Sequence, residues 1–102
     1  MEKYPFLNEA FARVLRKRRA DLSMSKKKLS EEAMIERAYI TQMEAGRKCP
    51  TLNVFFCLCV ALDITPIEFT RALIDEIRQI EYEVSGSNGQ HAAGISGPPA
   101  PC

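Results

Sequence analysis

With 102 residues, 46% of them hydrophobic, the chain has enough apolar material for one domain with a genuine core and too little length for two comfortable ones. The net charge of +1 conceals a division: residues 1–50 carry 12 Lys/Arg against 7 Asp/Glu, a balance of +5, while residues 51–102 carry 2 against 6, a balance of −4. No run approaches the roughly 20 apolar residues that span a bilayer, and MEKYPFLNEA lacks a basic segment followed by an apolar one, so a cytoplasmic protein with no membrane partner is expected.

Five helices are predicted, and the fold class is all-α. The first runs from Asn8 to Asp21, with Leu7, Phe11, Val14, Leu15 and Leu22 on one face and Asn8 as its N-cap. The second follows Ser25, its cap, from Lys26 to Ala33. The third starts near Glu36 and ends at Ala45-Gly46, where Gly46 suits a left-handed C-terminal cap. The fourth starts after Pro50-Thr51 and ends near Leu62. The fifth opens on Thr65-Pro66-Ile67-Glu68, a capping box with proline at the first helical position, and continues to about Glu83. From Ser85 onward SGSNGQHAAGISGPPAPC has no apolar periodicity, so residues 1–84 are expected to form the domain and 85–102 a disordered tail.

The second and third helices are short and joined only by Ala33-Met34-Ile35, which forces a steep crossing, the geometry of a helix-turn-helix. Leu29 and Ala33 supply the inner face of one, small Ser30 permits close approach, and Ile35, Ile40 and Met43 supply the underside of the other. Arg37, Ala38, Thr41 and Gln42 are then left facing outward.

The stretch LRKRRADLSMSKKKLSEEAMIERAYITQMEAGRKCPTL resembles the DNA-binding domain of Cro and phage-repressor-type regulators, the XRE family. The similarity covers about residues 11–69, its most specific parts being SKKKLS, IERAYITQMEAGRKCPTL and ALDITPIEF. YITQMEAGRKCPTL also resembles the controller proteins of restriction-modification systems, a subset of that family. The resemblance implies a five-helical, usually dimeric regulator of transcription. It further implies an internal ion pair between Arg19 and Glu44. Two positions depart from the family pattern: Met34 stands where the turn usually has glycine, and Glu36 stands where the third helix often starts with Ser or Thr.

A helix fits the major groove with its N-terminal residues at the base edges. Arg37 is thus expected to bond guanine O6 and N7, Gln42 to bond adenine or a phosphate, and Ala38 and Thr41 to touch a thymine methyl. Ser25, Lys26, Lys27 and Lys28 at the start of the second helix, the hydroxyl of Tyr39, and Arg47 and Lys48 after the third helix are the candidate phosphate contacts. The bland alternative is a solvated helix face, or, for Tyr39, packing against the second helix. Glu36 would cap its helix but repel phosphate.

The fourth helix, LNVFFCLCVAL, is apolar nearly all round. With Leu52, Phe55, Phe56, Cys59 and Leu62 assigned to the core, Val54, Cys57 and Val60 remain as a second stripe. Leu73, Ile77 and Ile80 add a short seam on the fifth helix. A homodimer through these residues is expected, reading an inverted repeat with half-sites about 34 Å apart. The alternative is a monomer in which the fifth helix, or Tyr4, Phe6 and Leu7, covers the stripe.

The cysteines at 49, 57, 59 and 102 match no zinc spacing, and the sole histidine, His91, is remote, so no metal, no cofactor and reduced thiols are expected. With no Ser/His/Asp set, phosphate loop or carboxylate cluster, an enzyme is excluded. The competing function is a protein-interaction module with a protein partner, such as the antitoxin of a toxin-antitoxin pair.

Overall fold

The computed structural model describes residues 4–86. Five helices follow one another, α1 (Leu7–Asp21), α2 (Lys26–Ala33), α3 (Arg37–Glu44), α4 (Leu52–Ala61) and α5 (Pro66–Val84), with no strand among the described residues. The tail expected beyond Ser85, with His91 and Cys102, lies outside the described residues apart from Ser85 and Gly86.

Three helix starts follow the side-chain chemistry of their caps. Ser25, Thr51 and Thr65 each accept a hydrogen bond from the backbone N–H three residues on, and Glu68 accepts one from the Thr65 N–H, closing the capping box. α1 departs from expectation. Asn8 does not cap it; the helix begins at Leu7, and Phe6 takes the cap position at φ 64° with no side-chain bond. Packing accounts for this, because Tyr4, Phe6 and Leu7 lie against Ala10, Ile77 and Ile80, a small second core between α1 and α5. That apolar docking fixes the chain's entry and leaves Asn8 inside the helix, where its Oδ1 accepts from the Cys49 thiol at 2.9 Å.

The ends of α1 to α4 repeat one device. In each, a residue at positive φ (Ser23, Met34, Gly46, Asp63) lets the following N–H reach back along the chain: Met24 to Arg19, Ile35 to Ser30, Arg47 to Gln42, Ile64 to Cys59. Only one of the four is the expected glycine. After three of them an apolar residue (Met24, Ile35 or Ile64) packs onto the main core, which offsets the roughly 1 kcal/mol or more that a non-glycine residue loses in the left-handed region. The fourth is followed by Arg47, which is exposed.

The main core is built from Phe11, Leu15, Leu29, Ile40, Met43, Leu58, Leu62 and Phe69, drawn from all five helices and the residue after α4. Phe11 and Phe69 sit 5.1 Å apart, and Phe55 meets Phe69 edge-on at 5.2 Å, a geometry that aligns ring edge with ring face.

Two expectations about the apolar surplus are corrected. Ile77 and Ile80 are 6% and 4% exposed within the single chain and Leu73 is half-buried beside them, so the seam on α5 faces α1, not a second molecule. On α4 the phase differs: Phe55, Leu58, Cys59 and Leu62 face inward, whereas Leu52 and Phe56 are 71% and 50% exposed. Val54 is half-buried against the core; Cys57 and Val60 remain on the surface. A helix that is apolar on every side gives no periodic signal from which its rotation can be read.

Candidate nucleic-acid interface

The α2–α3 turn is closed almost wholly by one residue. The Ser30 carbonyl accepts from the N–H groups of Met34 and Ile35, and its hydroxyl donates to the Ile35 carbonyl at 2.5 Å. A larger side chain at position 30 would push α3 away; serine both fits and satisfies the turn's polar groups. Met34 adopts φ 58°, ψ 46° with its side chain 90% exposed, so its backbone fills the role usually given to glycine and its side chain packs on nothing.

Beneath α3, Ile40 and Met43 are buried against Leu29 and Ala33, fixing which side turns outward. Arg37, Ala38 and Thr41 are exposed there, and Gln42 is half-buried at the edge. Glu36 occupies the N-cap position, but its carboxylate makes no capping bond; the start of the helix is held by its backbone carbonyl, which accepts from Tyr39 and Ile40. Tyr39 takes the packed alternative for its ring. Its ring packs on the core, and its hydroxyl donates to the Cys49 carbonyl at 3.4 Å, tying the α3–α4 loop to α3.

The last turn of α3 is anchored by Arg19 and Glu44. Arg19 donates from Nε and Nη2 to the two Glu44 oxygens at 2.7 and 2.8 Å and from Nη1 to the Met24 carbonyl at 2.9 Å; Glu44 is 5% exposed. The hydrogen bonds to Glu44 raise the Arg19 guanidinium pKa, against the opposing effect of burial. Arg16 adds a bond to the Glu44 carbonyl.

The basic half of the chain thus divides into two populations. Arg18 closes the end of α4 by donating to the Leu62 and Asp63 carbonyls. Arg13 joins Glu9, Glu76 and Glu83, clasping α5 to α1. Lys17, Lys27 and Lys28 form exposed i,i+4 pairs with Asp21, Glu31 and Glu32. Among the described residues of the basic half, Lys26, Arg37, Arg47 and Lys48 have no acidic or carbonyl partner. Local spacing puts Arg18 on the same face of α1 as Phe11 and Leu15 but assigns no acceptor to Arg13, Arg16 or Arg18. Apart from Glu9, four residues before Arg13, their acceptors lie 28 to 70 residues away in the chain, and local spacing carries no trace of those. The Lys27 and Lys28 pairs are surface contacts of the kind worth less than about 1 kcal/mol, which a polyanion can displace.

No group of three or more potential metal ligands occurs among the described residues. Burial pushes the Cys59 thiol up to about 11, which keeps it protonated at neutral pH; Cys57, on the other side of α4, is exposed. No described helix is long and apolar enough to cross a membrane by itself.

Residues 15–69 match the helix-turn-helix family, and the chain belongs to it, within its XRE-type branch. Solved structures agree. The restriction-modification controller protein C.AhdI from Aeromonas hydrophila is 30% identical over 65% of this chain and 98% of its own, with a TM-score of 0.60. A point mutant of the controller protein C.Esp1396I is 25% identical over 76% and 95%, with a TM-score of 0.67. The clp gene regulator ClgR from Corynebacterium glutamicum shares the fold at 21% identity, over 89% and 97%, with a TM-score of 0.76. Among curated protein sequences, none matches the chain.

Proposed function

We propose that this protein is a sequence-specific, duplex-DNA-binding transcriptional regulator that acts as a homodimer on an inverted repeat. The observation that carries the reading is the outward face of α3. It is held rigidly from below by Ile40, Met43 and Glu44 and presents Arg37, Ala38 and Thr41, with Gln42 at its edge, none of them bound to a neighbouring side chain. Pre-organised polar groups with no internal partner suit base edges in a major groove: Arg37 for guanine, Gln42 for adenine or phosphate, Ala38 and Thr41 for thymine methyls. Ser25, Lys26, Lys27, Lys28, Arg47 and Lys48 flank that face as phosphate contacts, which set register without reading sequence. The matched structures are named as regulators rather than enzymes, and C.Esp1396I is described as a tetramer in complex with its natural 35 base-pair operator, at 24% identity to this chain.

The dimer forms through α4. Leu52, Phe56 and Val60 recur at four-residue spacing along its exposed side, with Cys57 beside them. Such a row is self-complementary: with Phe56 on a two-fold axis, Leu52 of one copy meets Val60 of the other, in the ridge packing common between helices. Val54 contributes from the groove it lines with Cys57 and Val60.

Selection from a random duplex pool tests the whole reading. The expected outcome is an inverted repeat bound at least about a thousandfold more tightly than scrambled DNA. Arg37→Ala is then expected to lose about 1–3 kcal/mol of guanine preference at one position per half-site while its thermal unfolding stays unchanged. No enrichment, with only weak and steeply salt-dependent binding, would sink the reading and leave the apolar α4 face as the functional surface of a protein-interaction module.

A further inference from the structure

Beside the C-terminal end of α3, a groove of about 340 Å³ is lined by Tyr4, Leu7, Asn8, Arg47, Lys48 and Cys49. Three features set it apart from ordinary surface. Arg47 holds the position after a helix end where Met24, Ile35 and Ile64 each send an apolar side chain into the core, so the chain breaks its own repeated rule at this one place and leaves a cation outside. Departures of that kind from local consistency gather at functional sites. Second, neither Arg47 nor Lys48 has a carboxylate partner among the described residues, and the carboxylate of Glu9, which approaches Gly46, is bound by Arg13 Nε at 3.1 Å.

The third feature is Asn8. Its Oδ1 accepts from the Cys49 thiol, which fixes the amide's orientation and leaves both Nδ2 hydrogens without an acceptor among the described residues. The loop carrying Arg47 and Lys48 is itself held in place, by the Arg47 N–H to the Gln42 carbonyl and by Tyr39 to the Cys49 carbonyl. Two cations and a neutral amide donor therefore converge from two different elements on one pre-formed groove beside the base-reading helix.

Resting on the duplex-binding reading, we infer that this groove seats a phosphate of the DNA backbone and that Asn8, at the start of α1, is a further DNA contact. Asn8 donates from Nδ2 to a phosphate oxygen, Arg47 and Lys48 supply the neutralising charge, and Tyr4 lines the rim. α1 thereby touches the backbone directly, in addition to carrying Arg19 beneath α3.

Two variants of Asn8 separate this role from a structural one. Asn8→Ala removes both the donor and the bond to Cys49. Asn8→Asp keeps an acceptor for Cys49 but replaces the donor by a negative charge. A phosphate contact predicts that Asn8→Ala weakens the selected duplex and a scrambled duplex by the same factor, roughly tenfold, and that Asn8→Asp weakens both further. Lys48→Ala should flatten the logarithmic salt dependence by about one ion. Asn8→Asp binding like the unaltered protein, with Asn8→Ala showing a lowered unfolding midpoint, would assign Asn8 a structural role and overturn the inference. So would a loss confined to the selected duplex. Failure of the duplex-binding reading looks different: Arg37→Ala would then retain whatever discrimination the protein has, whatever Asn8 does.

Discussion

The α3 face and the α4 face are both exposed, both short, and both unfinished as parts of a monomer, but in opposite ways. α3 presents a cation and polar groups without partners on a base of buried apolar residues. α4 presents Leu52, Phe56 and Val60 to solvent over an equally well-packed underside. A polar group without a partner is satisfied by water until a ligand replaces it; an exposed apolar row is not, and favours being covered whenever a second surface is available. The two faces therefore differ in what they ask of their surroundings. One needs a polyanion of defined shape, and the other needs a matching apolar surface, which a second copy supplies.

The largest effect expected is on the support beneath α3. Glu44→Ala leaves Arg19 half-buried with neither of its carboxylate bonds and should cost about 3–5 kcal/mol in chemical denaturation. DNA binding would fall with it, and specific and non-specific duplexes would be affected alike. If Glu44→Ala left stability within about 1 kcal/mol of the original, the claim that the face is pre-organised by this pair would fail.

Next in size is a contrast between two apolar-to-acidic changes. Phe56→Asp introduces a charge at a site that is 50% exposed and meets Phe55 edge-on, so it should cost the fold much less than a core change while converting a dimer to a monomer in light scattering. Operator affinity should then drop about a hundredfold or more through lost bivalency. Ile77→Asp makes the same kind of change at a site that is only 6% exposed, so it should instead disrupt the second core and lower the unfolding midpoint. The reverse result, a stable monomer from Ile77→Asp and a dimer from Phe56→Asp, would return the interface to α5.

The contrast also marks what the amino-acid sequence makes legible. Helix order, the Ser25 and Thr65 caps and the short turn can be read from it because each depends on residues within a turn of one another. So can the outward set Arg37, Ala38, Thr41 and Gln42, because Ile40 and Met43 fix the phase of α3. The rotation of α4 cannot, since Phe55 and Phe56 are chemically alike and only the three-dimensional neighbours Phe11 and Phe69 choose between them. Asn8 is a sound local cap that loses to the docking of Tyr4, Phe6 and Leu7 on α5. Charge is the most misleading signal. A balance of +5 in the first half reads as a uniform basic surface, whereas Arg13, Arg16, Arg18 and Arg19 hold helices together and a smaller set faces outward.

A smaller effect tests the turn that leads into the α3 face. Met34→Gly removes a side chain that packs on nothing and relieves a non-glycine residue at φ 58°, so it should stabilise the protein by about 1 kcal/mol without changing DNA affinity. A destabilised glycine variant would mean that the greater freedom of the unfolded chain outweighs the relief at the turn.

The smallest effect expected concerns the Arg13 clasp, which belongs to neither face but holds α5 behind both. Hydrogen bonds from Arg13, and secondarily from Gln79, lower the Glu83 carboxyl below its ordinary value of 4.5. A carboxylate whose folded-state pKa is depressed contributes stability that is present above its unfolded pKa and is lost as pH falls through the folded one. Unfolding midpoints should therefore fall as the pH is taken below about 4.5, and Arg13→Gln should shrink the part of that fall due to Glu83. Because Arg13 and Glu83 are substantially exposed, added salt should shrink it too. An acid response identical in Arg13→Gln would show that α5 is held by the Ile77 and Ile80 packing alone, and the second core, not the clasp, would then be what keeps α5 in place behind the two faces.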